Sequence, residues 1–440
     1  MPIYQTRWLQ DVISREYLGN FTPNDFKLNP GRSGSMCLLC KGGRMLCGKL
    51  SCPVVARAQS LARSSLKITS TRIEGSTPPG VFVGRIGYPK VYIGPMVPPF
   101  KGDTTILDTP ELWVGKDIKE IVDYRFSLIR GMAKASVHDA REGGRLIDSM
   151  QELAMGKQPV DAEVNLDRLP SKTITLGSEI QPFGPSAPMK SFSSSDVNTN
   201  PKIENAYYDR DLKAADAVLD LYHDGVLVTQ IQRSFSLGMF GTGDRRRLVP
   251  TRWSITAVDS IISQELVDRI KQFDTIDEYR VYYFEQLDNR FVAILAPEKW
   301  SFEWIEAWFP GTTWNPDRWA TAPAMLADWE PYQGRTTYPE VGGCYFSSRL
   351  AVAEKLEEEK RQASALVLRE IRPGYILPVG VWLTRESVRA LLAKEPVKFT
   401  SFQKALEYLS NALSVPIKKW ISVSRILKDK LTQRKLLDFT

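Results

Sequence analysis

Histidine is nearly missing: two residues, His138 and His223, serve a chain of 440. That argues against a Ser-His-Asp triad or a histidine-rich metal centre, and leaves any acid–base work to carboxylates. Long apolar runs are missing as well. A membrane-spanning helix needs about 20 consecutive apolar residues, and the greasiest stretch, from Ala363 to Leu383, is broken by Arg369, Glu370 and Arg372. The first residues, MPIYQTRWLQDVISREYLGN, carry Arg7, Asp11, Arg15 and Glu16 and so lack the uncharged core of a secretory signal. No internal repeat is visible. A folded cytoplasmic protein is expected.

Aromatics, by contrast, are plentiful. With 11 Trp, 16 Tyr and 18 Phe, 43% hydrophobic and 25% charged residues, the chain has the composition of ordered globular domains. Its length suggests more than one core. The net charge of +7 is mild over this length, but Lys418, Lys419, Arg425, Lys428, Lys430, Arg434 and Lys435 stand against the single Asp429 near the end. Such a run is either a solvated helix face or a contact for a polyanion such as DNA.

Cysteine is scarce but clustered. Four of the five occur in CLLCKGGRMLCGKLSCP, as Cys37, Cys40, Cys47 and Cys52. Such clustering in a cytosolic protein points to metal rather than to disulfides. A two-residue gap lets two thiolates face one ion, and Gly42, Gly43 and Gly48 let the backbone turn its amides toward sulfur. Four thiolates leave no coordination position open, so a structural zinc ion is the expected occupant; an iron–sulfur cluster and a metal-free thiol cluster are the alternatives. Cys344, in VGGCYFSS, is expected in the core.

The expected fold is α/β or α+β, with mixed sheets, packed helices and a small N-terminal zinc module. Domains are expected at residues 1–65, 66–240, 241–415 and 416–440. VFVGRIGYPKVYIGPM reads as a hairpin, and KDIKEIVDYRFSLIRGMAKAS places Ile118, Ile121, Val122, Phe126, Ile129 and Met132 at helical spacing. Residues 156–205, rich in Pro, Ser, Thr and Asn, suggest an excursion or linker. Further helices are expected over 207–223, 257–273, 349–372, 384–394 and 402–413. DGVLVTQIQRSF reads as a strand, and 279–295 as a hairpin about Leu287-Asp288-Asn289. Six tryptophans between Lys299 and Trp329 are core or, less simply, base-stacking platforms.

Two stretches could bind phosphate. In SLGMFGTGDRRRLVPTRW, Gly238, Gly241 and Gly243 permit a tight loop whose amides could converge on an anion, while Arg245, Arg246, Arg247 and Arg252 offer forked donors. The stretch lacks the Gly-Lys-Ser/Thr ending of a nucleoside-triphosphate loop, and a solvated turn explains it as well. In SVHDAREGGRL, His138, Asp139 and Arg141 precede a Gly-Gly break and could hold a cation or a phosphate; an ordinary polar helix terminus is the bland alternative. Asp209 and Asp211 are expected to cap a helix. A nucleotide or divalent cation remains open as a further ligand.

The last residues, QRKLLDFT, pose the sharper question, because exposed apolar side chains at a terminus gain nothing unless they are bound. Gln433, Leu436 and Phe439 form Q-x-x-L-x-x-F, which resembles the motif by which replication and repair proteins bind the sliding clamp PCNA. One helical turn would present Leu436 and Phe439 as a plug with the Gln amide beside it. Thr440 stands where that motif often carries a second aromatic. Together with the cysteine cluster, the hairpin and FGTGDRRRLVPTRWSIT, this ending resembles the archaeal Nre family of DNA-repair proteins along the whole chain. The resemblance implies a clamp-associated role in repair of DNA damage, near the nucleoid, and fixes no chemical activity. A nuclease or phosphoester hydrolase, a non-catalytic adaptor that binds clamp and DNA, and an RNA- or nucleotide-metabolising protein all remain open.

Overall fold

The computed structural model describes residues 4–5, 27–29, 40, 44–66, 68–170, 173–175 and 182–432. Its contacts group into two units: Met1–Leu46, Ser51–Ile262 and Leu377–Val379 form the first, and Cys47–Leu50, Ser263–Ile376 and Gly380–Thr440 the second.

The first unit runs β1 (Tyr4–Gln5), β2 (Lys27–Asn29), α1 (Pro53–Leu66), β3 (Arg72–Thr77), β4 (Val81–Val83), β5 (Lys90–Val97), α2 (Ile118–Ser127), β6 (Ile129–Ser136), α3 (Asp139–Glu142), α4 (Arg145–Met155), β7 (Val160–Leu166), β8 (Thr173–Thr175), β9 (Ser186–Ser194), α5 (Pro201–Tyr208), α6 (Ala214–His223), α7 (Val228–Ser236) and α8 (Thr251–Ile270), whose end is grouped with the second unit. Its main sheet has the order β3-β7-β9-β6-β5-β4, with β6 and β9 parallel and the other pairs antiparallel. Ile73, Val97, Ile129, Val164 and Leu166 fill one face of it. Helix α1 starts on Pro53, whose missing N–H costs nothing at a first turn, and Cys52 O accepts its first hydrogen bond from Ala56. Helix α2 is opened by a capping box between Asp117 and Glu120.

The second unit runs β10 (Tyr279–Gln286), β11 (Asn289–Ala296), β12 (Ser301–Trp308), β13 (Ala324–Glu330), α9 (Gly343–Glu359), β14 (Ser364–Ile371), α10 (Trp382–Leu392), β15 (Val397–Phe399), α11 (Phe402–Ala412), α12 (Ile417–Val423) and α13 (Arg425–Thr432). Its sheet has the order β13-β12-β14-β11-β10-β15, again with one parallel pair, β12 with β14. One face carries Ile305, Leu366 and Leu368 beneath Leu409, Trp420 and Leu427. Buried charges meet partners here: Arg369 on β14 donates to Glu306 on β12 (3.0 Å) and to Asn289, and Arg349 on α9 donates to Glu330 on β13 (2.9 Å). The chain is thus mixed α/β, with two six-stranded mixed sheets and thirteen helices among the described residues. No helix among them is long and apolar enough to cross a membrane.

Both expected hairpins are present. At the second, Leu287 and Asp288 take φ of 51° and 55°, the left-handed pair that a two-residue turn between twisted strands requires. Three other expectations are corrected. The helix expected through Met132 stops at Ser127, and Ile129–Ser136 is a strand between β5 and β9. Gly131 fits that place: a Cβ there would lie 2.8 Å from Val164 Cγ2, so the residue serves close packing within the sheet. The stretch over 156–205, expected as an excursion or a linker, contributes β7 and β9, and β7 shows the strict alternation of burial that its VDAEVNL pattern encodes. DGVLVTQIQRSF forms helix α7, because Val228 and Ile231, three apart, share one buried face. The helix expected to reach residue 372 ends at Glu359 on Lys360, whose φ of 51° turns the chain into β14, a strand buried at all eight positions.

Three of the six clustered tryptophans, Trp300, Trp304 and Trp308, are core, whereas Trp314 and Trp319 are exposed. Cys344 is half-buried at the start of α9, and burial, with Glu306 adding to the effect, pushes its thiol up to about 12.

Candidate nucleic-acid interface

Three stretches that are far apart in sequence meet in the first unit. The β4–β5 hairpin closes through Gly84 N–H to Tyr92 O (2.7 Å) and Lys90 N–H to Gly87 O (2.9 Å). At its returning strand Pro89 O accepts from Val137 N–H (3.0 Å), and Val137 O accepts from Leu248 N–H (2.8 Å). Thr251 Oγ1 accepts from Val83 N–H (2.9 Å). The hairpin, the segment around His138 and the glycine/arginine loop are therefore stitched side by side through main-chain bonds, which fix backbone position without using any charged side chain. Gly238 makes the approach possible: at φ +63° a Cβ would stand 2.5 Å from Arg247 O and 2.7 Å from Ala140 Cβ.

This arrangement sorts the predicted residues. Arg246 is buried, and its guanidinium donates to Gly241 O (2.8 Å), Tyr207 O (2.6 Å) and Asp209 O (2.7 Å), so it organises the loop from within. Burial, reinforced by neighbouring Arg210, lowers its pKa. Arg245, Arg247 and Arg252 are exposed and make no ion pair among the described residues. Gly241, at φ +103°, and Gly243, whose N–H donates to Arg210 O (3.0 Å), shape the turn between them. Arg141 is exposed and reaches Asp244 O (3.4 Å), which joins its segment to the loop. His138 is half-buried at the start of α3, where its carbonyl accepts from Arg141 and Glu142 N–H. The Asp139 carboxylate accepts from Ser136 N–H (2.8 Å) and so closes a turn. Asp209 and Asp211, expected to cap a helix start, do not: Asp209 ends α5 and its carboxylate accepts from Asp211 and Leu212 N–H to close a turn, while Lys213 holds the N-cap position of α6.

The structure adds residues that motif reading passed over. Arg85, Lys90, Lys134 and Arg210 are exposed and free of ion pairs among the described residues. Lys134 faces Tyr92 across the β5–β6 pair, its ammonium 6.0 Å from the ring centre. Tyr88 at the hairpin tip and Trp253 in the first turn of α8 lie ring to ring at 5.4 Å. Segments 84–92, 134–141 and 241–253 together hold eight basic and two acidic residues, a strong local excess in a chain whose overall balance is mild. The signal was present in the sequence as Arg/Lys interleaved with Tyr or Trp in segments 84–92 and 241–253. What the sequence withheld was their adjacency.

The cysteine cluster is described in part. Cys37, like Gln433, Leu436 and Phe439, lies outside the described residues. Cys40 is buried and its sulfur accepts from Leu46 N–H (3.4 Å), while Gly48 takes φ +74°. Among the described residues no three His, Cys, Asp or Glu gather as a metal-binding group.

Comparison with known proteins gives a consistent answer. Residues 46–315 match the family model "Archaeal Nre, N-terminal" and residues 330–439 match "Archaeal Nre, C-terminal". The chain is 43% identical over 404 residues to the DNA repair protein NreB of Archaeoglobus fulgidus, covering 92% of this chain and 99% of that one. It is 38% identical over 386 residues to DNA repair protein NreA of the same organism, covering 87% and 95%. To DNA repair protein NreA of Haloferax volcanii it is 37% identical over 356 residues, covering 78% and 83%. No solved structure matches.

Proposed function

This chain belongs to the archaeal Nre family, and from that premise we propose that it is a DNA-repair protein that holds nucleic-acid phosphates on its basic face and is recruited through the sliding clamp PCNA. The observation that carries the DNA-binding part is the main-chain stitch Pro89–Val137–Leu248, which sets Arg85, Lys90, Arg141, Arg245, Arg247 and Arg252 on adjoining segments. Guanidinium forks match phosphate oxygens, and these exposed cations, of which Arg141 is paired with Glu142 (3.1 Å), give binding through counter-ion release. The names of the relatives support the repair context. A binding role is favoured over hydrolysis at this face because its carboxylates do not converge: Asp139 is committed to Ser136 N–H, and Asp244 sits at the exposed loop end.

Recruitment is assigned to Gln433, Leu436 and Phe439, whose spacing suits a helical-turn plug for an apolar clamp pocket. Deleting residues 433–440 abolishes binding to PCNA in titration calorimetry and moves the melting temperature by less than about 1 °C; binding that survives the deletion refutes the assignment.

Cys37, Cys40, Cys47 and Cys52 are assigned to a structural zinc ion. The N–H to sulfur bond at Cys40 and the left-handed Gly48 fit the backbone of a thiolate loop. Metal analysis of the purified protein is expected to give about one zinc per chain, lost in Cys40→Ser together with stability of the module; a wild-type protein containing neither zinc nor iron contradicts the assignment.

A further inference from the structure

We propose that the tip of the β4–β5 hairpin, with Trp253 beside it, is a platform for unpaired bases, so that the basic face selects single-stranded over duplex DNA. The inference rests on the DNA-binding reading above and names the form of DNA that this site takes. Its starting point is a set of side chains that phosphate binding leaves unexplained. Ile86 is 81% exposed at the hairpin tip, and Tyr88 and Trp253 are 48% and 47% exposed although their rings pack on each other. Any one exposed apolar residue is ordinary. Three at one place, flanked in sequence by Arg85, Lys90 and Arg252, have the composition of an interaction surface.

The charges identify the occupant. An acidic phosphate chain complements the surrounding arginines, and of the polyanions only one with accessible π faces also complements a Tyr–Trp pair. Intact duplex hides the faces of its bases in the stack and offers phosphates and groove edges, for which arginines alone suffice. Unpaired nucleotides offer both phosphate and face, and base stacking on Trp or Tyr tolerates any sequence. Ile86, the most exposed of the three, suits insertion between neighbouring bases, as apolar wedges do where a strand is unstacked.

The platform is also held in place before any ligand arrives. Val83 N–H to Thr251 Oγ1 ties the outgoing hairpin strand to the start of α8, Pro89 O to Val137 N–H ties the returning one, and Trp253 N–H donates to Pro250 O (2.8 Å). Little backbone freedom is left to lose on binding, which favours affinity.

The test uses the full chain and fluorescence anisotropy with an oligothymidylate of about 20 nucleotides, a blunt duplex of the same length and the matching oligouridylate, each at about 100 mM salt. The oligothymidylate binds at least about 10-fold tighter than the duplex. The double variant Tyr88→Ala/Trp253→Ala loses about 10-fold to 100-fold on the single strand and less than about 3-fold on the duplex, with an unchanged salt slope because no charge has been removed. Tyr88→Phe/Trp253→Phe restores most of the loss, which a folding defect would not. Equal losses on both DNA forms, no loss on the single strand, or tighter binding to the RNA than to the DNA overturns the proposal. Single-strand binding that depends on the arginines but not on the rings sinks this inference alone, whereas absence of binding to every nucleic acid sinks the DNA-binding reading with it.

Discussion

Replacing Arg245, Arg247 and Arg252 together by glutamate weakens binding to DNA on the order of 100-fold and lowers the slope of log K against log salt by about 2.7, close to 0.9 for each phosphate contact removed. The three side chains are exposed and make no ion pair among the described residues, so their replacement leaves folding within about 0.5 kcal/mol of the parent protein. Arg246→Glu is the informative contrast. Its guanidinium is spent on three carbonyls inside the loop, and burying a carboxylate against those oxygens costs about 3–5 kcal/mol. A drop in affinity for Arg246→Glu would accordingly come with a lower melting temperature, and one for the triple variant would not. Anisotropy at three salt concentrations together with a thermal melt separates the two. A triple variant that binds as tightly as the parent, or that keeps its salt slope, removes the basic face from the mechanism.

How much of this was legible beforehand differs between the fold and the site. Turn chemistry was legible wherever a local signal was strong: Leu287-Asp288-Asn289 and Gly-Tyr-Pro-Lys each sit between β-rich runs, and both hairpins formed. Periodicity failed where a segment is buried on both sides. Strand β14 is covered at every position, so SALVLREI carries no alternation and merges by pattern with the helix before it. It failed also in β6 itself, where Ile129 and Met132 continue a helical spacing by coincidence and pairing with β5 and β9 decides the outcome. For the site, the glycine/arginine loop was visible in one stretch, but its arginines looked equivalent. Only contacts distinguish Arg246, turned inward, from Arg245 and Arg247, turned out. The aromatic half, Tyr88 and Trp253, was hidden because the hairpin was read for its fold and the loop for its phosphate chemistry, and their meeting is a long-range fact.

Glu303→Ala is expected to destabilise the second unit by about 3–5 kcal/mol, the cost of leaving buried polar groups without the partner that satisfied them. The basic segment near the end of the chain does not simply trail in solvent: α12 and α13 bury Trp420, Ile426 and Leu427 against the sheet. Two buried carboxylates on adjoining strands hold that segment down. Glu370 on β14 accepts from Ser414 N–H (2.8 Å) and Val415 N–H (2.7 Å). Glu303 on β12 accepts from Ser424 Oγ (2.6 Å), Arg425 N–H (2.7 Å) and Ile426 N–H (3.0 Å), and so caps α13 from outside the helix. Burial pushes the Glu303 carboxyl above its ordinary range, with those three donors opposing the rise. A pKa raised by folding means that the folded state favours the proton. The associated stability is present below the unfolded carboxyl value and is lost as pH rises through the folded one. Glu303→Gln, which removes the charge and keeps the shape, therefore costs less than Glu303→Ala, and the parent gains on the Gln variant as pH falls. Hydrogen exchange locates the damage: in Glu303→Ala, residues 417–432 lose protection before the strands do. Because the proposed clamp contacts lie in residues 433–440, PCNA binding at temperatures below the melt survives this change. Loss of clamp binding in Glu303→Ala with the sheet still protected would mean that α12 and α13 contribute to the contact themselves, and the assignment to Gln433, Leu436 and Phe439 alone would fall.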